Sequence, residues 1–199
     1  MVEEGYVKFN CEWAKEKPLP LKKLKEINEW RDKLFKLGLI GAYPNGVGFG
    51  NISIRQGNSM HFIISGTATG NIANLNEQHY TTVTAFDFER NWLRCSGPIE
   101  ASSESLTHAA IYQCDKSVNA VIHVHNLALW KKLLERVPTT RKEVEYGTPE
   151  MAKEIIRLFK ETDVREKKIL VMAGHREGVI SFGKNLEEAG TILLKYFKG

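Results

Sequence analysis

Residues 121 to 125 read Val-Ile-His-Val-His, two histidines one residue apart in an otherwise apolar run. In a strand, alternate side chains share a face, so His123 and His125 point one way while Ile122, Val124 and Asn126 point the other. Two converging imidazoles can hold a tetrahedral metal ion such as zinc. A third protein ligand would then leave a fourth position open for water or substrate, which is the arrangement of a catalytic site. The plainer reading is that each imidazole only hydrogen-bonds within the fold, and the pair alone leaves both readings open. Of the six histidines, only His175, in "MAGHREG" at the end of an apolar run, lies downstream of the pair, and it is the candidate third ligand. His61, opening a hairpin strand, and His79, in a polar loop, are expected to face solvent.

Glu104 stands nineteen residues before His123, in the first turn of a helix that begins "SSE". The helix dipole favours its charged form and a nearby cation would favour it further, which suits a general base or a temporary ligand. As an ordinary helix acid it would instead cap the helix and pair with His108 at i+4. Ser102 and Ser103 place hydroxyls and free backbone N–H groups at the same helix N-terminus, an arrangement that suits a phosphate. Gly50-Asn51 and the loop "SGTATG" supply further donors with little side-chain bulk.

These residues need elements to position them. Leu24, Ile27, Trp30, Leu34 and Leu37 recur every three or four positions, predicting an amphipathic helix that stops at Gly38 and Gly41. "NISIR" and "HFIIS" then switch to period two around Gly57-Asn58, a β-hairpin. "YTTVTAF" and "NWLRC" read as further strands, "ASSESLTHAAIYQC" as a helix capped by serine, and "VNAVIHVH" as a strand. A basic loop follows. "GTPEMAKEIIRLFKE" has Thr148 as N-cap and Pro149 at the first helical position. "KILVMAGHREGVISFG" reads as two strands around a turn, and "NLEEAGTILLKYF" as a closing helix with Asn185 and Glu188 at capping-box spacing. Helices alternate irregularly with hairpins, so a mostly antiparallel sheet covered by helices is expected over a doubly wound parallel one.

Composition narrows the function classes. The 199 residues fit one domain, 1–199, with 1–20 as an N-terminal extension. Apolar residues at 42%, with no run near the roughly 20 that a membrane span needs, exclude a membrane protein. "MVEEGYVKFNCEW" lacks a signal-peptide core, so a cytoplasmic location is expected. Cys11, Cys95 and Cys114 are too scattered for a zinc ribbon or disulfide framework and read as free thiols. A net charge of +4, without aromatic interleaving in the basic runs, argues against nucleic acid.

With these motifs in hand, "GNISIR", "SGTATG", "ASSE", "VIHVH" and "GVISFGKNLEEA" follow one another in the order of the class II aldolase/adducin family, which the chain resembles over residues 21 to 197. The resemblance implies a three-layer α/β/α fold with a mostly antiparallel central sheet, and a homotetramer with active sites at subunit interfaces. It implies that His123, His125 and His175 hold zinc, with Glu104 a ligand at rest and a proton carrier in catalysis. Gly50, Asn51, Thr69, Gly70, Ser102 and Ser103 match its phosphate-binding positions. The implied function is metal-dependent retro-aldol cleavage of a small phosphorylated ketose through a zinc-stabilised enediolate. A methylthioribulose-1-phosphate dehydratase, a pentulose-phosphate 4-epimerase or a non-catalytic adducin-like interaction module are the alternatives on the same scaffold. Cobalt, manganese or iron would suit the same ligands. Two departures stand out. The loop after His125 is shorter than in the family's aldolases, where it brings a catalytic tyrosine, and Tyr146 is either its substitute or a structural tyrosine. Arg176 and Glu177 separate His175 from Gly178, where the family has His-Gly adjacent.

Overall fold

The computed structural model describes residues 7–199, so residues 1–6 of the expected N-terminal extension lie outside the described residues. Within the rest of that extension, Asn10–Lys15 form a strand, β1. The predicted amphipathic helix is α1 (Lys25–Lys36), entered through a 3-10 turn at Leu21–Lys23 and burying Ile27, Trp30 and Leu34. It ends where Gly38 takes φ 69°, a conformation cheap only for glycine. Two short strands, β2 (Gly41–Ala42) and β3 (Gly48–Phe49), pair as a small hairpin. The larger predicted hairpin is β4 (Asn51–Arg55) with β5 (Phe62–Ser65), followed by β6 (Tyr80–Asp87) and β7 (Trp92–Gly97).

Helix α2 (Ser105–Cys114) leads to strand β8 (Ala120–His125). The basic segment after β8, expected to be loop throughout, opens with helix α3 (Leu127–Leu133), capped by Asn126, whose side chain accepts from Leu129 N–H. Helix α4 (Pro149–Glu161) starts as predicted, with Thr148 Oγ1 accepting from Met151 N–H at 3.3 Å. A short helix, α5 (Val164–Lys167), then leads to β9 (Ile169–Val171), β10 (Gly178–Gly183) and α6 (Leu186–Lys198). Asn185 caps α6 by accepting from Glu188 N–H at 2.8 Å, but Glu188 does not complete a reciprocal box. Its carboxylate goes to Lys184 N–H and to Lys168 Nζ, both at 2.6 Å.

Eight strands form one sheet in the order β1-β7-β6-β5-β4-β8-β10-β9. The sheet is mixed, which corrects the expectation of a mostly antiparallel one: β1 runs parallel to β7, Asn10 lying opposite Trp92 and Lys15 opposite Gly97. The parallel strand comes from the N-terminal segment, whose mostly exposed residues carry no alternation that would announce it. The other neighbours pair antiparallel.

Alternation along the strands divides the apolar residues into two clusters. Phe62, Ile64, Val121, Ile180 and Phe182 pack with residues of α2, α4 and α5. Ile52, Ile63, Ile122, Val124 and Val179 pack with residues of α1, α3 and α6. β8 lies between β4 and β10 and is buried along its whole length. His123 and His125 therefore share the face of Val121, toward α2, while Ile122 and Val124 fill the opposite core. All three cysteines are free thiols, with the Cys11 and Cys95 sulfurs 3.6 Å apart. Among the described residues no helix is long and apolar enough to cross a membrane.

Candidate functional site

Strand register brings the first residues together. His123 lies opposite Asn51 on β4, and the Asn51 amide nitrogen is 3.3 Å from His123 Nδ1. His125 lies opposite Gly178 on β10. His175 enters from the turn between β9 and β10, where Gly178 N–H donates to His175 C=O at 2.9 Å. A Cβ on Gly178 would stand 2.9 Å from His175 Cδ2 and 3.3 Å from His123 Nε2, so glycine there keeps room for the imidazoles. The ring centroids are 4.9 Å apart for His123–His125, 5.3 Å for His123–His175 and 4.6 Å for His125–His175.

This donor set fits a divalent cation. Ligand nitrogens of the three histidines all lie within 4.8 Å of one another. Nitrogens sharing a tetrahedral zinc ion would stand about 3.3 Å apart. His125 Nε2 and His175 Nε2 face each other at 2.8 Å. Among the described residues His123 Nε2 is buried with no hydrogen-bond partner, whereas most buried polar atoms have one. Burial, then the neighbouring His175, holds His123 and His125 well below the usual imidazole range. Burial, then the Lys8 ammonium, lowers His175 to about 3. All three are thus neutral, the form that ligates.

Glu104 occupies the N-cap position of α2 and is 2% exposed. Its Oε2 accepts from Thr107 Oγ1 at 2.7 Å, while Oε1 lies 3.7 Å from His175 Nδ1. It does not pair with His108, whose Nδ1 meets Ser53 Oγ at 2.7 Å on the way to the Tyr112 hydroxyl. Ser102, Ser103, Gly50, Asn51, Thr69 and Gly70 line the same pocket as Glu104 and the three histidines. The Thr69 hydroxyl is already used, donating to Gly66 C=O at 2.9 Å. Behind this loop the fully buried Arg31 of α1 donates to the carbonyls of Thr69, Gly70 and Ala73 at 2.8–3.1 Å.

The pocket itself is small, about 40 Å³. It adjoins a wider cleft of about 870 Å³ with which it shares Tyr146 and His175. Tyr146 is 5% exposed, sets its ring edge-on to His175 at 4.4 Å, and carries the Lys8 ammonium over its face at 3.9 Å. His61 is exposed, as expected, whereas His79 is half-buried and accepts from Asn76 N–H at 3.0 Å.

Several residues in or next to the pocket were not singled out by the sequence. Thr107 reads as an ordinary helix residue, yet it orients Glu104. Tyr43 and Phe49, on the β2–β3 hairpin, flank His125: the Tyr43 hydroxyl is 2.9 Å from its Nδ1 and the Phe49 ring stacks at 5.4 Å. Thr67 and Ala68, inside the "SGTATG" loop but not picked out within it, also line the pocket, with Ala68 at φ 55°.

The family described as "Class II Aldolase and Adducin N-terminal domain" matches residues 45–195. The L-fuculose phosphate aldolase of Methanococcus maripaludis strain C5 is 28% identical over 156 residues, which cover 70% of this chain and 75% of that protein. Among solved structures, an L-fuculose 1-phosphate aldolase aligns with TM-score 0.68 and 18% identity over 91% of this chain and 84% of its own. The L-fuculose-1-phosphate aldolase of Thermus thermophilus aligns with TM-score 0.58 and 20% identity over 89% of this chain and 95% of its own.

Proposed function

The chain belongs to the class II aldolase/adducin family, and from that premise we propose that it is a metal-dependent lyase that cleaves a small phosphorylated ketose by a retro-aldol reaction. One observation carries this reading: three buried neutral imidazoles and one buried carboxylate converge on a pocket that serines, an asparagine and a glycine-threonine loop also line. His123, His125 and His175 would hold the ion, zinc first, with Glu104 as a displaceable ligand. When bound, the ion supplies Lewis-acid stabilisation of negative charge developing on the substrate oxygens.

The chain's own residues do the rest. Ser102 and Ser103 meet the substrate phosphate at the positive end of α2, and Gly50, Asn51, Thr69 and Gly70 close around it. Breaking the carbon–carbon bond leaves excess negative charge on the phosphate-bearing fragment. Glu104 takes up the proton lost by the hydroxyl that becomes the aldehyde and returns it to the carbon of the phosphate-bearing fragment, with Oε2 steadied by Thr107 so that one oxygen stays in place while the other exchanges the proton. The other fragment departs as an aldehyde through the wider cleft, past Tyr146. Two cores on opposite faces of the sheet support the three-layer α/β/α arrangement, and the homotetramer belongs to the same reading.

Protein loaded with zinc or cobalt, offered a panel of phosphorylated ketoses, is expected to yield two fragments from at least one. Loss of water or inversion at C4 would instead assign dehydratase or epimerase chemistry. A loaded protein that neither binds nor converts any phosphorylated ketose overturns the reading.

A further inference from the structure

The two residues that separate His175 from Gly178 form the tip of a four-residue turn, closed by Gly178 N–H to His175 C=O at 2.9 Å. Glu177 is its third residue and has φ 74°, a position that glycine or asparagine ordinarily takes because a Cβ is disfavoured there. The half-buried Glu177 side chain then reaches back to accept a hydrogen bond from the Tyr43 hydroxyl at 3.1 Å. That hydroxyl is also 2.9 Å from His125 Nδ1.

The chain of polarity runs one way. A carboxylate can only accept, so Tyr43 gives its proton to Glu177 and offers its oxygen lone pair to His125. His125 Nδ1 must then be the protonated nitrogen. Its Nε2, which meets His175 Nε2 at 2.8 Å, is then the nitrogen that presents a lone pair on the pocket side. Phe49 stacked on the ring at 5.4 Å fixes the plane of that lone pair.

We propose that Glu177, acting through Tyr43, is a positioning residue that locks His125 in its metal-ligating tautomer. The proposal rests on the functional reading above in needing a cation at the histidines, but not on the reaction catalysed. It explains why an unfavourable backbone conformation is occupied by a glutamate: the side chain has a task that glycine could not perform.

The test measures zinc affinity by competition with a chromophoric chelator, alongside thermal unfolding of the metal-free protein. Tyr43→Phe and Glu177→Gly are each expected to weaken zinc binding about 10- to 100-fold, the usual cost of losing an outer partner of a ligand. The double variant should lose little more than the worse single one, because both residues lie on one relay. Glu177→Gln keeps an acceptor for the tyrosine hydroxyl and should stay within about threefold of wild type, since a neutral acceptor is only about half as strong. Metal-free Glu177→Gly should melt no lower than wild type, because glycine relieves the left-handed backbone, and cobalt bound to Tyr43→Phe should show an altered visible spectrum. Wild-type zinc affinity in both single variants, or additive losses in the double, overturns the proposal alone. A wild-type chain that takes up no divalent ion overturns the functional reading and this proposal with it.

Discussion

At Glu104 the two carboxylate oxygens are held differently, Oε2 by Thr107 at 2.7 Å and Oε1 at 3.7 Å from His175 Nδ1. That asymmetry suits a group that keeps its place while handling a proton. Glu104→Gln preserves the shape and the bond from Thr107 but cannot take up a proton. It is expected to lower kcat about 10²- to 10⁴-fold with little change in thermal midpoint, and a variant that retains wild-type turnover would remove Glu104 from the reaction. Glu104 and the three histidines were all legible as candidates in the sequence: His123 and His125 because His-x-His puts both rings on one strand face, His175 as the one histidine downstream of them, and Glu104 from its place at the helix start and the family resemblance. Thr107 and Tyr43 were not. A threonine in a helix is an ordinary residue until its hydroxyl reaches back one turn to Glu104, and a tyrosine in a short hairpin until the fold brings it against His125.

The same contrast governs the elements. α1, α4 and α6 announce themselves through apolar periodicity and caps such as Thr148 and Asn185, and the β4–β5 hairpin through alternation around Gly57-Asn58. α3 was hidden because the apolar run of β8 continues into Leu127 and Leu129, and only the Asn126 cap separates strand from helix. β1 pairs with a strand some eighty residues away, a contact that no local pattern encodes. Arg31 is the strongest case. By spacing it falls on the apolar stripe of α1, four residues after Ile27 and three before Leu34, yet nothing in the sequence says what a guanidinium would do there: it is 1% exposed and donates to three carbonyls of the 66–73 loop. Burial lowers its pKa, opposed by the nearby Tyr80 and Asp32. By tying those carbonyls to α1 it fixes the side of the loop that lines the pocket. Arg31→Met fills the space but leaves the carbonyls buried without their donor, each unmet group costing roughly 1–3 kcal/mol. Urea unfolding should show a loss of about 2–4 kcal/mol, with the KM for a phosphorylated substrate rising more than kcat falls. A variant as stable as wild type would mean that the loop holds its shape unaided.

Across the whole molecule, the three histidines join parts of the chain that lie far apart in sequence. His123 and His125 sit on β8 in the middle of the sheet, buried between β4 and β10, while His175 arrives fifty residues after His125 on the β9–β10 turn. An unfolded chain cannot bring the two segments together without the sheet, so a cation that needs all three imidazoles binds the native state and hardly the unfolded one. Metal should therefore act as a stabiliser of the whole fold. At a free concentration one hundred times its dissociation constant the gain is about 2.7 kcal/mol. At roughly 2–4 °C per kcal/mol for a chain of this size, the midpoint should rise by about 5–11 °C. Circular dichroism melts with zinc, cobalt and manganese would measure it, and excess chelator should return the midpoint to its starting value. In His125→Ala the metal-dependent increment should vanish whatever the variant's own baseline stability, since two remaining imidazoles from different segments hold an ion weakly. If none of these ions moves the wild-type midpoint, the histidines are core residues after all. The unpartnered His123 Nε2 would then need a buried water to explain it.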